Sequence, residues 1–106
     1  MTEHCESCHI GIPNLSDNEI EMQLKKLSGW IYYKEKKLIE KIFEFKNYYH
    51  AIAFVNAIAW MAHQEKHHPD LFVSYNKVVV QYQTHKTGGI TKNDIICATL
   101  VENLQN

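Results

Sequence analysis

The sequence predicts an α+β domain in which helices pack on one face of a four-stranded antiparallel sheet. Three observations support this fold class: three helical segments that carry capping residues, two pairs of segments rich in aromatic and β-branched residues, and the alternation of the two kinds along the chain. Each pair is typical of a hairpin, because a short polar turn separates its members. The expected element order is therefore α-β-β-α-β-β-α.

The first helix begins at a capping box. Residues 16–19, Ser-Asp-Asn-Glu, combine an N-cap hydroxyl with a carboxylate three residues later, so we expect a helix over residues 17–27 that Gly29 closes. Its apolar stripe consists of Ile20, Leu24 and Leu27. Residues 30–33 and 38–45 follow on either side of a charged turn, which predicts the first hairpin.

The longest helix is predicted over residues 48–66, with Asn47 as its cap. Its apolar residues form two stripes: Ile52, Val55, Ala59 and Ala62 on one, and Phe54, Ile58 and Met61 on the other. A helix that is apolar on two faces is buried on two faces. Because one small sheet can cover only one of them, we expect the second face to contact another subunit, in a homodimer or homotetramer.

The second hairpin is predicted over residues 71–75 and 78–84. Asn76 lies at its turn, where asparagine tolerates positive φ. His85 follows the last strand directly, and a Gly-Gly break separates it from a second capping box at residues 91–94, Thr-Lys-Asn-Asp. The last helix carries Ile95, Ala98 and Val101 on its apolar stripe.

The length of 106 residues predicts a single domain, residues 1–106, with residues 1–15 as an N-terminal extension. The net charge of −1, with acidic and basic residues interspersed, provides no basic face for nucleic acid. We see no apolar run of about 20 residues and no export leader, so we expect a cytoplasmic protein without membrane association. The three cysteines are then expected to be reduced thiols.

The extension contains the segment His-Cys-Glu-Ser-Cys-His at residues 4–9. Cys5, Cys8 and His9 match the attachment motif of c-type haem, but that attachment takes place outside the cytoplasm. Zinc requires four ligands, and adjacent His-Cys and Cys-His pairs are awkward donors for one tetrahedral ion. We therefore expect a segment without a catalytic role, with a weak metal site as the alternative.

Four histidines are the main clue to function. His63, His67 and His68 lie within six residues, and His85 follows the second hairpin. Histidine titrates nearest to neutral pH, so such a set indicates a metal site, acid–base catalysis, or ordinary surface and core imidazoles. His63 and His67 have the spacing of a zinc-binding pair on a helix, but Gln64 stands where a metalloprotease needs glutamate. This departure argues against a metal, and the other two possibilities remain open.

Pro69 predicts the end of the long helix. Because the residue before a proline is disfavoured in the helical conformation, we expect His67 to stay on the helix while His68 points elsewhere. Two diverging imidazoles suit two sides of a small-molecule pocket. A helix that crosses a short sheet can also bring its C-terminal end to His85. Asp94 is expected to act as a helix cap rather than directly in catalysis.

The spacing of these residues resembles the signature of the pterin-4a-carbinolamine dehydratases. The residues in the spacing of that signature are His63, His67, His68, Pro69, Tyr75, His85 and Asp94. The segments Gly29-Trp30, Tyr75-Asn76-Lys77-Val78 and Thr84-His85 also resemble that family. The resemblance spans roughly residues 16–104 and implies the same four-stranded fold. One departure concerns position 63, which is acidic in the animal members, so a carboxylate role at this position does not carry over to His63.

The resemblance implies a hydro-lyase that dehydrates 4a-hydroxytetrahydrobiopterin to quinonoid dihydropterin by histidine acid–base catalysis, without a cofactor or a metal. The implied catalytic residues are His67, His68 and His85. The implied substrate-binding residues are His63, Lys66, Pro69, Gln83, Thr84 and Lys86. Of the catalytic three, His67 and His85 would transfer protons and His68 would orient the pterin.

The resemblance also implies a metabolic setting. The reaction serves tetrahydropterin recycling after aromatic amino-acid hydroxylation, so a phenylalanine hydroxylase is the implied functional partner. Animal members of the family also act as dimerisation partners of a transcription factor, and the doubly apolar helix would serve such binding. A protein-interaction role is therefore the alternative function, and a zinc protein built on the His and Cys residues is a third hypothesis.

Overall fold

The computed structural model describes His4 and residues 12–105. Within that part of the chain, three helices and four strands follow one another in the predicted order, which is thereby confirmed. In chain order they are α1 (Asp17–Leu24), β1 (Ile31–Tyr33), β2 (Leu38–Glu44), α2 (Tyr48–Glu65), β3 (Asp70–Val73), β4 (Lys77–Tyr82) and α3 (Lys92–Leu104).

The four strands form one antiparallel sheet in the order β1-β2-β4-β3. At its centre Ile39 pairs with Tyr82 and Phe43 pairs with Val78, and all four side chains are buried. Alternate residues of a strand point to opposite faces, so these four define an inner face, which shares one core with the helices. On the outer face Ile42 is 52% exposed. The predicted fold class, with helices on one face of the sheet, is confirmed.

The first helix is shorter than predicted, because α1 ends at Leu24 rather than at Leu27. The N–H groups of Lys26 and Leu27 donate to carbonyls only three residues back, those of Gln23 and Leu24, so the chain tightens beyond α-helical geometry. Leu27 is nevertheless buried in the core, as its place in the stripe predicted.

The second hairpin also differs from the prediction. The N–H of Ser74 donates to the carbonyl oxygen of Lys77 at 2.9 Å, which closes the hairpin early, so β3 ends at Val73. Asn76 does not have positive φ; the described non-glycine residues that do are Lys37 and Lys66. β4 ends at Tyr82 rather than at residue 84, because the chain turns back on itself immediately afterwards. The remaining strand and helix ends lie within one residue of their predicted places.

The two predicted faces of α2 have different environments. The face that contains Phe54, Ile58 and Met61 is buried in the core. The other face is divided: Ala62 is buried and Val55 packs against the core, whereas Ala59 is exposed and the neighbouring Trp60 is 64% exposed. Part of the stripe that was expected to contact another subunit therefore belongs to the chain's own core, and the exposed apolar surface of this helix includes Trp60.

The predicted N-terminal extension is partly integrated into the domain. Ile12 is buried, Asn14 forms a bridge with Thr91, and the N–H of Leu15 donates to the carbonyl oxygen of Ile90 at 2.7 Å. The cysteine pair of the extension lies outside the described residues, whereas the third cysteine, Cys97, is buried in the core. None of the described helices is long and apolar enough to cross a membrane.

Candidate active site

The centre of the candidate site is a contact between His67 and Asp94. His67 Nε2 lies 2.6 Å from Asp94 Oδ1, and the two residues are 27 positions apart in the chain. Asp94 is 0% exposed and His67 is 7% exposed. A carboxylate accepts hydrogen bonds and does not donate them, so the hydrogen of this contact belongs to Nε2. In a neutral imidazole the other nitrogen, Nδ1, is then the proton acceptor.

The second carboxylate oxygen of Asp94 binds two further groups. Asp94 Oδ2 accepts a hydrogen bond of 2.7 Å from Thr84 Oγ1 and one of 2.9 Å from the backbone N–H of Thr91. The bond from Thr91 belongs to the predicted capping box at the start of α3, which is confirmed. The two threonine hydroxyls lie 2.9 Å apart, so the side chains of the group form one continuous series of hydrogen bonds from His67 through Asp94 and Thr84 to Thr91.

Asp94 therefore has two roles, of which the sequence analysis favoured only one. The capping role depends on residues three positions apart, so it was predictable from the local pattern. The contact with His67 depends on the packing of α3 against the end of α2. The position of Asp94 in the family-like series of residues was the signal that pointed to a second role.

Tyr82 fixes the plane of the His67 ring. The two ring centroids lie 5.4 Å apart at an interplanar angle of 16°, which is a stacked arrangement. Tyr82 is the last residue of β4, and the alternation of that strand puts it on the inner face with Val78 and Val80. The sequence analysis did not single out Tyr82, although this alternation would have placed it in the core. With Tyr82 on its face and Asp94 at Nε2, the imidazole has a defined orientation.

The end of α2 separates the two adjacent imidazoles. Lys66 adopts the left-handed conformation, with φ 57° and ψ 34°, and the N–H groups of Lys66 and His67 both donate to the carbonyl oxygen of Ala62. This turn directs His67 into the protein, where it is buried, while His68 is exposed. The predicted divergence is correct. The prediction that His67 stays on the helix is wrong, because the helix ends at Glu65 and both imidazoles follow it.

The fourth histidine lies on a tight turn held by Thr84. The carbonyl oxygen of Thr84 accepts hydrogen bonds from the N–H groups of Thr87, Gly88 and Gly89, and the N–H of Thr84 donates to the carbonyl oxygen of Gly89 at 2.9 Å. His85 is exposed on this turn. The Thr84 hydroxyl donates a hydrogen bond to Asp94, which also binds His67. The Asp94 carboxylate therefore connects the segment that contains His67 with the turn that carries His85.

The other predicted site residues differ in their exposure. Three are exposed: His63, Lys66 and Lys86. Two are half-buried: Pro69 and Gln83. Thr84 is buried, and its hydroxyl serves the network around Asp94. His63 lies on α2 with its ring centroid 6.0 Å from that of Trp60, so its described contact is with the outer face of the helix.

The described residues contain no group of three or more His, Cys, Asp or Glu side chains arranged to hold a metal ion. At the end of α2, Glu65 Oε2 instead lies 2.5 Å from His4 Nδ1, which connects the N-terminal segment to this helix. Cys5, Cys8 and His9 lie outside the described residues, so the alternative of a metal site in the extension stays a prediction.

The chain is similar to known proteins over nearly its whole length. A protein from Nitrosospira multiformis, provisionally named a pterin-4-alpha-carbinolamine dehydratase, is 48% identical over 103 residues, which cover 97% of this chain and 89% of that protein. A protein of the same provisional name from Legionella pneumophila strain Corby is 43% identical over 104 residues, covering 97% of this chain and 92% of its own length.

A solved structure has the same fold. The crystal structure of a transcriptional coactivator/pterin dehydratase from Brucella melitensis superimposes with a TM-score of 0.85 at 31% sequence identity, and the match covers 89% of this chain and all of that one. The model of the family described as Pterin 4 alpha carbinolamine dehydratase matches residues 13–104, which include every described helix and strand as well as His63, His67, His68 and His85. By sequence and by fold, this chain belongs to the pterin 4 alpha carbinolamine dehydratase family.

Proposed function

We propose that this protein dehydrates 4a-hydroxytetrahydrobiopterin, the 4a-carbinolamine, to quinonoid dihydropterin by histidine acid–base catalysis. The observation that carries the proposal is the buried carboxylate of Asp94, which binds His67 with one oxygen and, with the other, the threonine that precedes His85. Membership of the family and the provisional names of its relatives support the same reaction.

The reaction consists of two proton transfers and one bond cleavage. The C4a–O bond breaks while a general acid protonates the departing hydroxyl, which leaves as water. A general base removes the proton from N5, and the electron pair of the N5–H bond forms the C4a=N5 double bond. Two groups that titrate near neutral pH suit this chemistry, and each is worth roughly 10² to 10⁴ in rate.

His67 and His85 are the proposed proton-transfer residues. His67 is oriented by Asp94 at Nε2 and by Tyr82 on its face, so Nδ1 is the nitrogen that exchanges a proton. A buried imidazole exchanges protons with a bound partner rather than with bulk water. His85 is exposed on a turn that Thr84 holds in place, which suits a group that approaches the substrate from the solvent side.

His68 is the third proposed catalytic residue, and it would orient the pterin from its exposed position just after the end of α2. The proposed substrate-binding residues are His63, Lys66, Pro69, Gln83, Thr84 and Lys86. Of these, Lys66 and Lys86 flank the histidine segments and are exposed, so their side chains are accessible to a ligand. Thr84 would contribute by holding the turn, since its hydroxyl is engaged by Asp94.

A direct turnover assay tests the proposal. Wild-type protein should accelerate the dehydration of a 4a-hydroxytetrahydropterin, and His67→Ala and His85→Ala should each reduce turnover by roughly 10² or more. The double variant should lose less than the product of the two single losses if both groups serve one concerted step. His4→Ala is the matched control, because His4 is exposed and contacts α2 at Glu65. Wild-type turnover in His85→Ala together with its loss in His4→Ala would refute the assignment.

The proposed cellular role is tetrahydropterin recycling in the cytoplasm, with a phenylalanine hydroxylase as the functional partner. In this role the protein would convert the 4a-hydroxylated pterin that such a hydroxylase releases. Deleting the gene should then limit growth or product formation only under conditions that require hydroxylase turnover. Unchanged hydroxylase-dependent product formation in the deletion strain would contradict the proposed role without affecting the proposed reaction.

A protein-interaction role is the second candidate function. The outer face of α2 presents Trp60 and Tyr49, which are 64% and 76% exposed, and large exposed aromatic side chains are typical of contact surfaces. We propose that this face mediates a homodimer or homotetramer, because self-association needs no second protein. Sedimentation of wild type and Trp60→Lys distinguishes the cases: the variant should dissociate if the helix forms the subunit contact. An unchanged oligomer would place the contact elsewhere and leave this face open to a different partner.

A further inference from the structure

The turn that carries His85 is anchored at both ends. At one end Thr84 donates its hydroxyl hydrogen to the buried Asp94. At the other end the N-terminal segment lies against the turn: Asn14 Nδ2 donates to the carbonyl oxygen of Thr87 at 3.0 Å, and the N–H of Leu15 donates to that of Ile90 at 2.7 Å. The exposed residues between these anchors depend on both for their position.

Asn14 also fits closely against Gly89. A Cβ atom added at position 89 would lie 2.9 Å from both Cγ and Nδ2 of Asn14, a distance that real Cβ contacts essentially never show. The backbone of Gly89 lies outside the left-handed region, so a side chain at this position would cause no backbone strain but would force the exposed Asn14 amide to shift. Gly88 is the opposite case, because its φ is +68° and a Cβ atom there would meet nothing within 4 Å.

We propose that Asn14 is a positioning residue for the dehydration, and that it acts by clamping the turn of residues 84–89 so that His85 stays at its catalytic position. The inference rests on the proposed function. A group that transfers protons must lie within hydrogen-bond reach of its substrate atom, and a displacement of about 1 Å can cost as much as 10²-fold in rate. Two side-chain hydrogen bonds are described at the far end of the turn that carries His85. Thr87 Oγ1 donates to the carbonyl oxygen of Thr84 at 3.3 Å from within the turn, and the amide of Asn14 clamps the turn from outside it.

The expected effect follows from the strength of one neutral hydrogen bond. Such a bond shifts an equilibrium by about two- to tenfold, so Asn14→Ala should lower kcat by up to about fivefold as displaced forms of the turn become populated. KM should change less, because the other substrate-contacting segments are untouched. Asn14→Asp should have a similar effect, since its carboxylate would face the carbonyl oxygen of Thr87 without a hydrogen to donate.

Double variants separate a positioning role from a merely structural one. If Asn14 acts through His85, Asn14→Ala should cause no further loss of kcat in the His85→Ala background. Gly89→Ala should displace the Asn14 amide and reproduce the loss, and it should add little to Asn14→Ala, because the truncated side chain leaves room for the new methyl group. Asn18→Ala, at an exposed asparagine on α1, is the control and should leave kcat unchanged.

Measurements without substrate keep this inference distinct from the proposed function. Backbone ¹⁵N relaxation of His85 and Lys86 should show increased mobility in Asn14→Ala and in Gly89→Ala, and unchanged mobility in Asn18→Ala. If wild type has turnover but Asn14→Ala matches it, or if Asn14→Ala lowers kcat equally with and without His85, the positioning role is refuted and the function stands. If wild type has no turnover, the function is refuted, and unchanged mobility in Asn14→Ala would refute the clamp as well.

Discussion

Replacement of Asp94 by asparagine should reverse the tautomer of His67. In the wild-type structure Oδ2 accepts two hydrogen bonds, from Thr84 Oγ1 and Thr91 N–H, and Oδ1 accepts the third, from His67 Nε2. An asparagine keeps the first two by placing its single oxygen at the position of Oδ2. Its NH₂ group then faces His67, and because this group donates, Nε2 must become the acceptor. The imidazole hydrogen therefore moves to Nδ1, the nitrogen proposed to accept a proton.

The magnitude follows from the three contacts of 2.6, 2.7 and 2.9 Å. Hydrogen bonds to a charged group contribute about 1.5–3 kcal/mol each, against about 1 kcal/mol for neutral ones, so Asp94→Asn should lower the free energy of unfolding by about 3 kcal/mol. For a domain of this size that corresponds to a decrease in Tm of about 12–24 °C. Turnover should fall by about 10² to 10³ if His67 transfers a proton, since the wrong nitrogen then carries the hydrogen.

Three measurements on the same protein test this reasoning. Denaturant unfolding gives the loss of stability, the dehydration assay gives turnover below the new Tm, and ¹⁵N-detected imidazole spectra give the tautomer of His67. Asp17→Asn is the matched control, because the carboxylate of Asp17 accepts a hydrogen bond of 2.8 Å from the Tyr32 hydroxyl at an exposed position. Wild-type turnover in a folded Asp94→Asn protein whose His67 has the reversed tautomer would refute the role of this imidazole in proton transfer.

Three further predictions concern other parts of the chain. Lys66→Gly should raise the free energy of unfolding, measured in urea, by up to about 1 kcal/mol, because glycine adopts the left-handed conformation of Lys66 without the steric cost that a lysine incurs. Unchanged or lower stability would mean that contacts of the lysine side chain outweigh this steric cost. Burial and the hydrogen bond to Asp17 raise the pKa of Tyr32 to about 12, so its contribution to stability is complete below about pH 10 and is lost as the pH rises to about 12. Ultraviolet titration should therefore show a late-ionising tyrosine whose pKa falls in Asp17→Asn, and identical titration curves would contradict that cause. Prolonged chelation should leave the dehydration rate unchanged, whereas a rate that falls in proportion to zinc content would favour the zinc hypothesis.

Much of the fold follows from patterns that span only a few residues. The capping boxes at Ser16 and Thr91 involve side chains that bond to backbone groups three positions away, so the four residues contain all the required information. The inner face of the sheet follows from the alternation of apolar residues, which a buried face imposes on every strand. The ends of the strands were less predictable. β3 ends where the N–H of Ser74 bonds to the carbonyl oxygen of Lys77, and β4 ends just before the N–H of Thr84 bonds to that of Gly89; such backbone hydrogen bonds have no sequence signature.

The candidate site shows a similar division. The sequence by itself identified the histidines and their resemblance to a family signature, since both depend only on residue type and spacing along the chain. Only the tertiary structure decided that His67 is buried and His68 exposed, and that Asp94 binds both His67 and Thr84. It also decided that Asn14 contacts Thr87, across 73 positions of the chain. The physical reason is that such contacts depend on how α2, α3 and the last turn pack together, and that packing is a property of the whole core rather than of any local pattern.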